Sequence, residues 1–192
     1  RICFVKRRLR RSAGSNFANA AMPTRGSRPS PARRSDTARG LCCNPRMKVS
    51  LRPREPADDE RHFVWQSDPV QVATTVPARS RAEFDAWIAK ITADPAVTLR
   101  TITADGEVVG TINTFALGSE RYIGYRVANE HWGRGIATEA VRLMLRLDPT
   151  RPLFATVLTS NVASQKVLAR NGFVAFREQP SSDGPEVVLR LA

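Results

Sequence analysis

The sequence predicts an α/β (α+β) domain, a mixed and mostly antiparallel central sheet with helices on both faces, and three observations carry that prediction. Asp105-Gly106, the dipeptide that best signals a tight hairpin, and Gly118-Ser119 join apolar runs into an antiparallel series. After Tyr122 the order becomes strand, helix, strand, helix, which implies a right-handed crossover and two parallel neighbours. Between the strands, apolar residues recur at helical spacing. The roughly 146 residues after position 46 can bury about 70% of their unfolded surface, enough for a domain that stands alone.

Residues 49–54 read as a short strand ended by Pro53 and Pro56. Asp58, Asp59 and Glu60 then suit the first turn of a helix, whose positive end favours carboxylates; Phe63, Val64 and Trp65 supply its apolar side, and Ser67-Asp68-Pro69 stops it. Ser80 with Glu83 three residues on has capping-box spacing, and Phe84, Trp87, Ile88 and Ile91 give the second helix a buried stripe that ends at Asp94-Pro95. Residues 97–103 and 107–117 are the hairpin strands, and the next strand contains Tyr122, Ile123, Tyr125 and Val127. Ile136, Ala140, Leu143, Met144 and Leu147 define a long helix closed by Asp148-Pro149. Residues 153–159 form a buried strand, and Asn161 opens a helix that Asn171-Gly172 closes. Residues 173–177 and 186–191 are the last strands, joined through Ser182-Asp183-Gly184-Pro185.

The chemistry centres on the loop into the long helix. Gly133 and Gly135 sit where first-turn N–H groups lack helical partners and the macrodipole is positive, a place that suits an anion, most often a phosphate. Without Cβ atoms these glycines let a diphosphate approach the main chain, either can take φ > 0, and Arg134 between them adds a full charge. A plain tight turn into an amphipathic helix would use the same two glycines, since a short Gly-x-Gly needs structural context.

A second stretch, Asn161 to Phe173, reads NVASQKVLARNGF, and the two together resemble the GNAT superfamily of acetyl-CoA-dependent N-acetyltransferases. That family's loop has the form Gln/Arg-x-x-Gly-x-Gly/Ala, here filled by Trp132, Gly133, Arg134, Gly135, Ile136 and Ala137, with Thr138 following. Trp132 departs from the pattern and is similar to the branch containing acetyltransferases of ribosomal-protein N-termini. The resemblance covers most of the chain after about residue 47. It implies that acetyl-CoA is the cosubstrate, threaded where two parallel strands splay, with its pantetheine arm along the strand near Val127 and the N–H there stabilising the developing oxyanion. The implied cofactor-binding residues are Val127, Gly133, Arg134, Gly135, Ile136, Ala137, Thr138, Asn161 and Ser164. No metal is implied.

Many relatives place a tyrosine where this chain has Leu168, so the usual proton donor to the departing thiolate is missing. Ser164, one turn into the helix from Asn161, is the nearest hydroxyl and matches a serine of the N-terminal acetyltransferase branch; it also reads as an ordinary first-turn residue. Asn161 likewise reads as an N-cap, as a hydrogen-bond partner of the cofactor arm, or as both. Glu120, Glu130 and Glu83 are candidate bases, of which Glu120 is the catalytic expectation, and Glu139 reads as support for the helix N-terminus. His131 and His62 read as structural. With no strong base in view, the acceptor should be an amine that is partly neutral unaided. A free α-amine is roughly 10% neutral at pH 7, a lysine side chain about 0.04%. A protein N-terminus or a small-molecule amine is therefore the expected acceptor.

The formal net charge of +12 is concentrated at one end. Residues 1–46 hold 12 Lys plus Arg against the single acid Asp36, whereas the remainder holds 18 basic and 17 acidic side chains. All three cysteines, Cys3, Cys42 and Cys43, lie in that first segment without disulfide-framework or zinc spacing. Its Ser-, Pro- and Arg-rich composition predicts disorder. It reads as a nucleic-acid arm, as a transit peptide, or as upstream sequence outside the natural protein. The last is preferred because Met47 begins MKVSLRPREPADDE, which resembles the family's first strand, and the chain lacks an initial methionine. The near-neutral domain argues against nucleic acid as partner. No signal peptide and no run of roughly 18 apolar residues is present, so no membrane partner is expected and the predicted location is cytoplasmic. A CoA-binding module without turnover is the rival to an enzyme, and nothing separates a monomer from a homodimer.

Overall fold

Seven strands join into one sheet in the computed structural model, which describes residues 47–72 and 78–192. The expectations for residues 1–46 fall outside these residues, as does part of the segment before Ser80. The strands are β1 (Val49–Pro53), β2 (Thr98–Ala104), β3 (Glu107–Leu117), β4 (Glu120–Val127), β5 (Leu153–Leu158), β6 (Val174–Gln179) and β7 (Glu186–Leu191). Their order across the sheet is β1-β2-β3-β4-β5-β7-β6, antiparallel throughout except for the parallel pair β4–β5. Both hairpins form where the sequence places them, with Asp105 (φ 50°), Gly106 and Gly118 in the left-handed region. The insertion of β7 between β5 and β6 is not visible in local sequence, because strand order within a sheet leaves no turn signature.

The helices are α1 (Asp59–Ser67), α2 (Pro69–Val72), α3 (Arg81–Ala93), α4 (Ile136–Leu147) and α5 (Val162–Ala169). The short α2 is an addition to the sequence reading: Asp68 Oδ1 accepts the Val70 N–H at 2.8 Å, so the aspartate that ends α1 also opens a new turn. α3 begins with the expected capping box, in which the Ser80 side chain accepts the Glu83 N–H and Glu83 Oε2 accepts the Ser80 N–H. Side chains alternate along strands, so neighbouring residues serve opposite faces. Ile102, Ile112, Ile123 and Val127 pack with Ile136, Ala140, Val141 and Met144 of α4 in the main core. On the other face Leu99 and Val97 meet Phe84, Ile88 and Ile91 of α3. Among the described residues no helix is long and apolar enough to cross a membrane.

Candidate active site

The sheet opens between its two parallel strands. β4 and β5 pair only at Arg121–Leu153 and Tyr122–Phe154, after which β4 runs on to Val127 held by β3 alone. Gly110 lies opposite Val127, and the Ala128 N–H donates to Val109 O at 2.9 Å. That bond makes Gly110–Val127 a non-hydrogen-bonded pair of the ladder, and Ile112–Tyr125 two residues on is another. The N–H and C=O groups of Tyr125 and Val127 therefore point away from β3 and into the opening. Gly110 is required for this approach: a Cβ there would lie 2.2 Å from Arg126 O. Trp132 explains its departure from the loop pattern, since its Nε1–H donates to Val127 O at 2.8 Å and ties the loop to the strand end.

At the mouth of the opening the chain bends into α4. Gly133 (φ 76°) and Gly135 (φ 80°) both take the left-handed conformation, and a Cβ on either would meet open space. Gly135 is the N-cap and supplies no capping side chain. The first helical hydrogen bond runs from the Glu139 N–H to Gly135 O at 3.1 Å, so the N–H groups of Ile136, Ala137 and Thr138 have no partner within the helix. These three residues and both glycines line a cleft of about 340 Å3. Arg134 is exposed and outside that lining. Glu139 pairs with Arg142 on the outer side of the helix.

α5 forms the opposite wall. Asn161 Oδ1 caps it by accepting the Ser164 N–H at 3.0 Å, and both residues line the cleft. The Tyr125 hydroxyl donates to Ser164 O at 3.3 Å, and burial pushes that phenol up to about 12. Asn171 Nδ2 donates to Thr138 O at 3.2 Å and to Val167 O at 2.9 Å, joining the end of α5 to the first turn of α4. Leu168, where relatives carry tyrosine, is fully buried in the main core. Lys166 and Arg170, one turn apart, also face the cleft, as do Gln71 of α2 and Arg126 of β4.

The candidate acids stand apart from this group. Glu120 sits at the far end of β4, where Arg177 binds it through two nitrogens at 3.1 and 2.9 Å and Tyr122 OH donates at 2.5 Å. The Arg177 and Tyr122 bonds hold its carboxyl below the usual range, so it is a poor proton acceptor. Its place is explained by the register: Glu120 opposes Leu117 at the turn, seven residues from Val127 along β4. Glu83 serves the α3 cap, and Glu130 is exposed outside the lining. His62 is buried, and burial pulls it down to about 4, so it is neutral at pH 7. His131, read from sequence as structural, lines the cleft from a turn closed by its N–H to Ala128 O at 3.0 Å.

A mixed sheet split between two parallel strands, with a glycine-bent helix start at the split, defines the acyl-CoA N-acyltransferase class. The chain belongs to the GNAT acetyltransferase family, whose domain profile matches residues 48–174, and it is an N-acetyltransferase. Solved structures with the same fold include aminoglycoside acetyltransferase AAC(6')-Ib in complex with coenzyme A, 21% identical over 76% of this chain and 95% of that one, with a TM-score of 0.66. Mycobacterium smegmatis RimJ in complex with CoA-disulfide is 23% identical over 74% of this chain and 81% of that one, TM-score 0.63. Spermidine N-acetyltransferase from Vibrio cholerae in complex with CoA and spermine is 17% identical over 74% and 92%, TM-score 0.63. No curated protein matches the sequence.

Proposed function

We propose that residues 47–192 form an enzyme that transfers acetyl from acetyl-CoA to a primary amine, preferring an α-amine or a weakly basic small-molecule amine over a lysine side chain. The observation that carries this reading is the opening of β4 from β5 beyond Tyr122–Phe154, with the uncapped start of α4 at its mouth. The cleft suits the cosubstrate's arm and diphosphate in its donors: two left-handed glycines with free space where a Cβ would stand, and the first-turn N–H groups beside them. The cosubstrate supplies an activated thioester. Ile136, Ala137 and Thr138 would hold its diphosphate through their N–H groups, with Gly133 and Gly135 permitting the approach, while Lys166, Arg170 and Arg134 add positive charge around it. The Val127 N–H would meet the thioester oxygen, a donor whose loss typically raises the barrier by about 3 to 4 kcal/mol. Asn161 would position the arm while capping α5, and Ser164 would pass a proton to the departing sulfur. Glu120 receives no role, since its carboxylate is committed to Arg177 and Tyr122.

Thiol release from acetyl-CoA over a panel of peptide and small-molecule amines tests the reading. An N-terminal peptide should outpace a lysine peptide with a blocked N-terminus, and the reverse order would overturn the preference. Coenzyme A binding without thiol release from any amine would leave only a binding module. A variant beginning at Met47 should keep both activity and thermal stability. Ser164→Ala should lower kcat about 100-fold with little change in KM for acetyl-CoA; an unchanged kcat removes Ser164 from the chemistry.

A further inference from the structure

The cleft has two ends, and their charge distinguishes what can enter. On the reading above, the cosubstrate occupies the side walled by α4 and α5. The amine must then arrive from the other side of β4, where Gln71 of α2 and Arg126 form the wall. Arg126 belongs to that side because it alternates with Tyr125 and Val127, whose side chains pack on the α4 face. It is 8% exposed, and its charge reaches His62 of α1 on the same face. Arg79, just before α3, stacks its guanidinium over Trp87 at 4.9 Å and places a second positive charge near Arg126. Burial, and then Arg79, pull Arg126 down to about 10.

The rest of the lining reinforces this sign. Among the described residues that form the cleft wall there is no Asp or Glu. A polyamine or other polycation entering here would bring like charges together in a partly dehydrated space. A carboxylate would gain a planar, poorly hydrated guanidinium suited to two parallel hydrogen bonds.

We propose that the acceptor is a primary amine that carries a carboxylate close to its amino group, recognised by Arg126 with Arg79 reinforcing the field. The proposal rests on the acetyl-transfer reading and names the class of its second substrate. Two sources present this chemistry: a free amino acid, and a peptide with an acidic residue near its N-terminus. Arg126 is also placed to orient the amine, since the adjacent Val127 contributes the N–H that faces the thioester and neighbouring Cα atoms lie about 3.8 Å apart.

The test is thiol release by the full chain with matched pairs: glutamate against its diamide, and a tetrapeptide with glutamate at its second position against its glutamine counterpart, with spermidine alongside. The carboxylate member of at least one pair should have a kcat/KM about 10- to 100-fold above its amide partner, and the pair that shows it identifies the source. Arg126→Gln should bring that ratio to about one, Arg126→Lys should restore part of it, and Arg79→Gln should reduce it. Should Arg126→Gln fail to fold, as read by circular dichroism, the Arg79→Gln ratio and the salt dependence of the wild-type ratio decide. Equal turnover within both pairs, or faster turnover of spermidine than of any carboxylate amine, overturns the proposal while leaving acetyl transfer intact. Absence of thiol release with every amine tested overturns both.

Discussion

Replacing Gly135 by valine should raise the Kd for coenzyme A at least about 100-fold, a loss of about 2.7 kcal/mol of binding, while destabilising the fold by no more than about 2 kcal/mol. The position is a left-handed N-cap with φ 80° and ψ 0°, and an L-residue there costs roughly 1–2 kcal/mol. A β-branched side chain lies at the upper end of that range, because its χ1 freedom is already restricted. The new Cβ would strike no protein atom, since nothing lies within 4 Å of its position. It would instead occupy the space above the N–H groups of Ile136, Ala137 and Thr138, where the proposed diphosphate must sit. Stability and binding should therefore separate. Calorimetric titration with coenzyme A, alongside urea unfolding of the same variant, checks this. Alanine should fall between glycine and valine in binding, and a valine variant that binds coenzyme A as tightly as wild type would remove the phosphate from this loop.

That loop was the most legible part of the site, for a physical reason. Two glycines two residues apart before an amphipathic run constrain backbone geometry locally, so sequence alone locates the helix start. The Asn161 cap and the Asn171-Gly172 stop of α5 were legible on the same grounds, and Gly172 adopts φ 88° as a C-terminal signal should. Donors of the main chain were not legible. Val127 gains its place from the register that sets it opposite Gly110 and from the early end of the β4–β5 pairing, and neither leaves a mark on the residue itself. Glu120 shows the opposite failure. Its residue type suits a base and its strand is the right one, but Arg177 reaches it from β6, with β5 and β7 between them in the sheet order, and no local signal announces a contact of that range. Arg126 carries no motif and His131 reads in sequence as structural, because strand alternation and a single tight turn deliver them to the cleft. Trp132 reads in sequence as a departure from a pattern and in structure as the clasp on Val127.

Asp148 reads in sequence only as part of a helix stop, yet its removal should have the largest effect on stability. A carboxylate at the C-terminal end of a helix opposes the macrodipole, so this one is retained by what it binds. Its Oδ2 accepts from Arg121 Nε and from the Thr114 hydroxyl, each at 2.6 Å, and its Oδ1 accepts the Thr150 N–H at 3.1 Å. Burial alone would push the carboxyl up, but the bonds from Thr114, Thr150 and Arg121 outweigh it and hold it at about 2. Arg121 also pairs with Leu153, so the same contact fixes the point where β4 and β5 part. Asp148→Ala should destabilise the fold by about 3–5 kcal/mol, because it removes the counter-charge of a half-buried guanidinium, which keeps only its bonds to Ala96 O and the Thr114 hydroxyl, and leaves the buried hydroxyl without its acceptor. For a domain of this size that corresponds to a fall in Tm of roughly 10–15 °C. The sign of the pH effect follows from the depressed value: the contribution is complete above the ordinary carboxylate pKa near 3.8 and is lost as pH falls toward about 2. Between pH 5 and pH 2 wild type should lose about 2 kcal/mol through this group. Asp58, held at about 2 against Arg52, adds a loss over the same range in both proteins, so the difference between wild type and Asp148→Asn isolates the Asp148 share. Urea unfolding at pH 5 and pH 2 measures that difference. Parallel stability curves for the two proteins over this interval would show that the carboxylate is not what locks the strand junction.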